Sequence, residues 1–204
     1  MQREEAVEKL RQLAGQNLHE LAQYHGVTVL TPNGTVNKGW AGHVFEKHLG
    51  VAINSSQTPD FGSWELKSIP LKFAKNGTLG FKETMAITMI DPHQVAHTPF
   101  EESHLLAKLR KAVCVARTVG KDVHQPSYIH SVTAIDLTGP LYEAVKRDYE
   151  TVQACLNDSQ RGFAALTGSM GQFIQPRTKG AGHGSTSRAF YARPIFLAQF
   201  ISLL

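Results

Sequence analysis

Asp60 stands five positions ahead of the triplet Glu65-Leu66-Lys67, in which acid, apolar residue and base alternate. These residue types in this spacing outline a divalent-metal site for phosphodiester hydrolysis. If Trp64 to Ile69 form a strand, the two-residue period puts Glu65 and Lys67 on one face and turns Leu66 toward a core on the other. Hard carboxylate oxygens hold Mg²⁺, the ion neutralises charge on the scissile phosphate, and a neighbouring lysine orients or deprotonates the attacking water. A carboxylate pair alone would repel a phosphate. A hairpin with a solvated charged face would produce the same letters. Trp64, Leu66 and Ile69 weigh against that reading, because a bulky apolar strand is a costly place for unpaired charge.

A further acid lies upstream, in the segment from Asn37 to Gly50. Asn37 is the expected N-cap of a helix and Gly50 its stop, with Trp40, Val44, Phe45 and Leu49 on one apolar arc. Glu46 falls off that arc, on the side of Gly39 and Gly42. Two glycines within a helix cost on the order of 1 kcal/mol each relative to alanine, so close approach to a backbone or a phosphate is the expected reason for them. The plainer alternative for Glu46 is a solvated acid paired with Lys47 or Lys38.

Taken in order, Lys38-Gly39-Trp40 with Glu46 and Gly50, Asp60 with Glu65-Leu66-Lys67-Ser68-Ile69-Pro70, Glu102-Ser103-His104 with Lys108, Arg177-Thr178-Lys179-Gly180-Ala181 and Arg188-Ala189-Phe190-Tyr191 resemble the MutH family. That family groups a mismatch-repair nicking endonuclease with GATC-cutting type II restriction enzymes. The likeness runs along nearly the whole chain. It implies a restriction-endonuclease-like α/β fold, with a central mixed sheet flanked by helices and two lobes around a DNA cleft. It also implies Mg²⁺-dependent cleavage of double-stranded DNA. Carried over by position, it makes Asp60 and Glu65 metal ligands, Lys67 the catalytic lysine, Glu46 an accessory acid near the metals and Lys108 a lysine close to the scissile phosphate. Lys38, Arg177, Lys179, Arg188 and Tyr191 become DNA-contacting residues. The chain departs from the family's repair members in a tighter Asp60 to Glu65 spacing and a short linker from Gly182 to Ser187. Both departures lean toward the restriction type, with the repair nicking type and a catalytically silent DNA-binding module as the alternatives. A homodimer on DNA and, for the repair reading, a mismatch-repair activator are the partners implied.

Charge distribution agrees with a nucleic-acid partner. No Asp or Glu follows Asp158, whereas Arg161, Arg177, Lys179, Arg188 and Arg193 do, so residues 159–204 carry +5 and the first 158 carry −1. Cations hold phosphates while a locally acidic site awaits metal. Glycine and serine set around Lys179 over residues 178–185 suit close backbone approach to DNA, although a basic tail can also be ordinary soluble surface. No apolar run is long enough to cross a bilayer and residues 1–10 lack a signal-peptide core, so a cytoplasmic protein without membrane contact is expected. Cys114 and Cys155 are too few for a disulfide framework or a thiolate zinc site. His93 and His97 are read as flanking a Pro-bounded loop, and His43 and His48 are poorly spaced for a metal.

The elements that must position these residues read as one 204-residue endonuclease domain, with a catalytic lobe mainly over 30–120 and a basic DNA-contacting region over 159–204. Ala6, Leu10, Leu13 and Ala14 form a first helical stripe, Gly15 interrupts it, and Asn17 with Glu20 resembles a capping box. Lys75-Asn76-Gly77 turns the chain into an apolar strand, Thr84 to Ile90, expected to pair beside the Glu65 strand. Residues 101 to 109 are expected to be helical and to carry Lys108. Strands follow at Ala112 to Val119 and Tyr128 to Leu137. Pro140 opens a long amphipathic helix through Leu156. Phe173-Ile174 and Phe190-Tyr191 are short strands, and Pro194 starts a closing helix. Interleaved strands and helices give a mixed α/β sandwich.

Overall fold

The computed structural model describes residues 1–51, 61–180 and 186–203. Helices α1 (Arg3–Arg11), α2 (Leu18–Tyr24) and α3 (Trp40–His48) precede the first strand, β1 (Glu65–Phe73). Strands β2 (Leu79–Phe81) and β3 (Met85–Met89), helices α4 (Pro92–His97) and α5 (His104–Leu109), and strands β4 (Lys111–Thr118) and β5 (Ile129–Asp136) follow. The long helix α6 (Gly139–Asn157), strands β6 (Ile174–Thr178) and β7 (Arg188–Ala192) and the short α7 (Pro194–Leu197) complete the order.

The strands form two sheets. A four-stranded sheet runs β2-β1-β4-β5, in which β1 and β4 are parallel and the other pairs antiparallel. A three-stranded antiparallel sheet runs β3-β7-β6. The α/β class and the central mixed sheet flanked by helices are as the sequence predicts, but one pairing differs. β3 lies against β7 and not beside the Glu65 strand, because both edges of β1 are already occupied, by its hairpin partner β2 and by β4. The exposed Lys82-Glu83 pair carries the chain from one sheet to the other.

Apolar residues cover both faces of the larger sheet. On one face Leu66, Val113 and Val115 pack with Leu10 of α1, Leu18 of α2 and Phe45 of α3. On the other, Ile69, Leu71 and Cys114 join Leu105 and Leu109 of α5, Val145 and Tyr149 of α6, and Phe190 of β7. Each fully buried large side chain stabilises the fold by about 1.5–3 kcal/mol. The consequence for β1 is that Glu65 and Lys67 share their face with Ile69 and Leu71 and are set into a covered surface.

Local chemistry explains the element ends. Asn17 accepts a hydrogen bond from His19 N and donates from Nδ2 to Glu20, so the expected reciprocal cap is made between side chains. Asn37 does not cap α3; its Nδ2 donates to Thr28 O, and the N-cap is Gly39 at φ 95°, a conformation few residues other than glycine adopt. His93 and His97 lie on a helix and not around a loop, because Asp91 caps Gln94 N and Pro92 takes the first turn. The closing helix is shorter than its apolar pattern suggests, ending at Leu197. Among the described residues no helix is long and apolar enough to cross a membrane.

Candidate active site

Glu65 opens β1 and is 1% exposed. Its Oε1 accepts hydrogen bonds from Lys67 Nζ at 2.5 Å and Lys108 Nζ at 3.0 Å, and Oε2 accepts a second from Lys108 at 3.1 Å. The strand period sets the first contact, since residues two apart share a face. The second comes from α5, capped by Ser103 Oγ accepting from Leu106 N and packed against β3 and β4. Lys108 is itself buried, so the only compatible neighbour for its ammonium is an acid.

A third ammonium approaches from the other sheet. Lys179 follows β6, where its backbone N–H donates to Ser187 O. Burial, reinforced by repulsion from Lys67 and Lys108, holds its pKa below the usual lysine value. Lys38, Lys67 and Lys179 all line a cleft of about 850 Å³ between the two sheets, with Trp40 and Tyr191. Arg177 lies across the Tyr191 ring at 5.8 Å and donates to Thr84 Oγ1 at 3.0 Å. Beside Lys67 on the neighbouring strand, its register partner Cys114 is wholly buried, and burial pushes the thiol up to about 12.

Glu46 is half-buried on α3, which packs on β1, and Lys47 donates to His25 O. Arg188 begins β7 with its guanidinium over the Phe163 ring, and it is not among the described residues that line the cleft. Asp60 lies outside the described residues. The neighbouring turn is well anchored: Phe61 stacks on Trp64 at 3.8 Å and its N–H donates to Trp64 O. One cleft residue escaped the sequence reading. Arg117 is the penultimate residue of the apolar strand β4 and lines the same cleft, and the available signal was a base directly after the buried run Ala112 to Ala116.

Among the described residues, no group of three or more His, Cys, Asp or Glu side chains converges in a metal cage. The donor chemistry of Glu65 nevertheless suits a hard cation: a buried carboxylate, already compensated by two movable ammoniums, presents oxygen ligands of the kind Mg²⁺ takes.

The family model described as DNA mismatch repair enzyme MutH matches residues 49–144, which include Glu65, Lys67 and Lys108. The DNA mismatch repair protein MutH of Vibrio cholerae serotype O1 is 28% identical over 197 residues, covering 94% of this chain and 86% of that protein. The chain is thus similar to MutH proteins along most of its length. A second relative, the type II restriction enzyme Sau3AI of Staphylococcus aureus, is 28% identical over 176 residues, covering 82% of this chain and 36% of that enzyme. Among solved structures, a complex of restriction endonuclease MvaI with cognate DNA aligns over both chains at a TM-score of 0.41 and 11% identity, too distant a likeness to bear on function.

Proposed function

We propose that this protein is a sequence-specific, Mg²⁺-dependent DNA endonuclease that hydrolyses phosphodiester bonds at GATC-like sites, of the type II restriction kind. The observation that carries the reading is the Glu65 carboxylate clasped by Lys67 and Lys108 at a cleft that also receives Lys38 and Lys179. In this reading Asp60, Glu65 and Glu46 would hold Mg²⁺, which when bound supplies charge neutralisation at the scissile phosphate. Lys67, an ammonium held by Glu65, orients the attacking water, and Lys108 steadies the carboxylate and the phosphate charge. Water attacks phosphorus, the phosphorus–oxygen bond to the leaving sugar breaks, the water's proton passes to solvent, and the leaving sugar oxygen takes a proton from solvent. Lys38, Lys179 and Arg188 contact the backbone; Arg177 and Tyr191 lie at the groove, where a guanidinium suits guanine edges.

The tight Asp60 to Glu65 spacing and the short Gly182 to Ser187 linker favour the restriction reading. The near full-length match to a mismatch repair protein favours the alternative, nicking of hemimethylated DNA under a repair activator. A catalytically silent binding module is disfavoured by the intact Asp60, Glu65 and Lys67. Cutting both strands of a palindrome needs two active sites or two visits, so a homodimer on DNA belongs to the restriction reading.

Digestion of unmethylated, hemimethylated and methylated GATC plasmids with Mg²⁺, followed by mapping of the ends, tests this directly. Double-strand breaks at unmodified sites support restriction, and nicks confined to hemimethylated sites support repair. Intact plasmid under every modification state and divalent ion would rule out the endonuclease reading.

A further inference from the structure

The cleft does not end at the catalytic lysines. Past Trp40 it opens into a second hollow of about 210 Å³, and Val36, Trp40, Lys82 and Arg117 border both spaces. Arg117 stands where they meet. Its guanidinium lies over the Trp40 ring at 5.2 Å, Nε donates to Ser68 Oγ at 3.2 Å and Nη1 donates to Ser127 Oγ at 3.0 Å. Ser127 Oγ in turn donates to Thr118 O, so it is held as an acceptor for the arginine.

None of these partners carries negative charge. Among the described residues no carboxylate lies within ion-pair distance of Arg117, and Glu83 acts on it only through its field. Burial pushes the guanidinium down to about 10, the direction expected of a desolvated cation lacking a counter-ion. A half-buried cation fixed by two neutral hydroxyls and an aromatic face is oriented but uncompensated. Nη2 makes no hydrogen bond. Around the hollow, Lys82 and Lys121 add positive charge, while Asp122, whose carboxylate accepts from His124 N, contributes the single negative one.

We propose that Arg117, with Lys82 and Lys121 at the rim, forms a second phosphate seat that takes a backbone phosphate of the DNA duplex flanking the base pairs at which cutting occurs. The inference rests on the DNA endonuclease reading for the identity of the ligand, and the hollow's continuity with the cleft supplies the path for the strand. A guanidinium suits this role because its fixed fork matches phosphate oxygens, and the Trp40 face keeps that fork in one plane. The seat positions the duplex and does no chemistry.

The test is equilibrium binding of a duplex with one GATC site and long flanks, in EDTA, across a salt series. Each neutralised phosphate contributes about 0.9 to the slope of log K against log salt. Arg117→Gln should therefore make the slope shallower by about 0.9 and weaken binding roughly tenfold at moderate salt, while Arg117→Lys keeps the slope. A scan of single neutral methylphosphonates through the flanks should find one position that weakens the wild type and leaves Arg117→Gln unaffected. If Arg117→Gln does not fold, Lys82→Gln/Lys121→Gln, changed at exposed side chains, should make the slope shallower in the same way. An unchanged slope in the folded variants, or no such flank position, overturns the seat. So does tight binding of inorganic phosphate that depends on Arg117 while the DNA slope does not. Plasmid cleavage by the same wild-type preparation separates the two claims: DNA gripped through Arg117 but never cut sinks the catalytic reading alone, and DNA cut with an unchanged slope sinks the seat alone.

Discussion

Two buried carboxylates, Glu65 on β1 and Asp148 on α6, are 1% and 6% exposed, and the fold satisfies them in opposite ways. Glu65 is held by two side-chain ammoniums, those of Lys67 and Lys108. Asp148 is held by the main chain: Oδ1 accepts from Gln172 N, and Oδ2 from Phe173 N and Ile174 N, each at 2.7 Å. Backbone donors are fixed once the chain has its path, so Asp148 acts as a clip that starts β6 and sets where Arg177 and Lys179 emerge. Ammoniums on flexible stems can move aside for a substrate or a cation. The difference separates an acid that fixes the backbone from one whose partners are side chains able to rearrange.

The largest expected effect tests the clasp on Glu65. Lys67→Ala should lower cleavage by about a thousandfold or more while leaving DNA affinity within about tenfold, since phosphate contacts elsewhere supply most of the binding. Single-turnover cleavage and filter binding read the two quantities separately. An active Lys67→Ala would dissolve the contrast.

The clip should answer in stability. Asp148→Ala strands the buried N–H of Ile174 and the part-buried N–H groups of Gln172 and Phe173, so a loss of about 2–4 kcal/mol is expected in urea unfolding. Gly171→Ala attacks the same clip from the loop. Gly171 has φ 74°, and an added Cβ would collide with Ile174 O and press on the Asp148 carboxyl group, so about 2 kcal/mol or more should be lost. If these variants instead kept full stability and lost only cleavage, the two acids would not differ in kind.

Glu65→Gln sharpens the comparison from the other side. Cleavage should vanish, and unfolding should shift by about 3 kcal/mol, because Lys67 can turn its ammonium to the open cleft whereas buried Lys108 is left without its acid. The smallest effect concerns the neighbouring strand. With its thiol pushed up to about 12 by burial, Cys114 stays protonated at neutral pH, and Cys155 is also buried. Neither should react with a thiol reagent in the native protein, and both should react after unfolding. Rapid native labelling would mean the strand beside Lys67 opens.

Much of this molecule is legible in its residues. The Glu65-Leu66-Lys67 alternation does place acid and base on one face, and the helix expected over 101–109 does deliver Lys108, although α5 starts only at His104. The turn at Asn76-Gly77 and the Pro-started α6 follow from backbone chemistry that is local in sequence. The pairing of β3 was not legible, because its apolar pattern fits an edge of either sheet and the choice depends on which edges are free. Arg117 was not legible as a cleft residue, since its surroundings of Trp40, Ser68 and Ser127 come from three separate segments. Glu46 and Arg188 are identified by the family resemblance more than by their positions here.

By itself, then, the sequence determined the elements, the family resemblance and the short-range couplings, all of which rest on spacing along the chain or on residue type. Only the tertiary structure decided that Lys108, forty-three residues away, completes the clasp on Glu65, and that Lys179 reaches the same cleft from a different sheet. Those meetings depend on how two sheets pack and where α6 clips β6. Packing is settled by the summed burial of many side chains, and no single stretch of sequence encodes it.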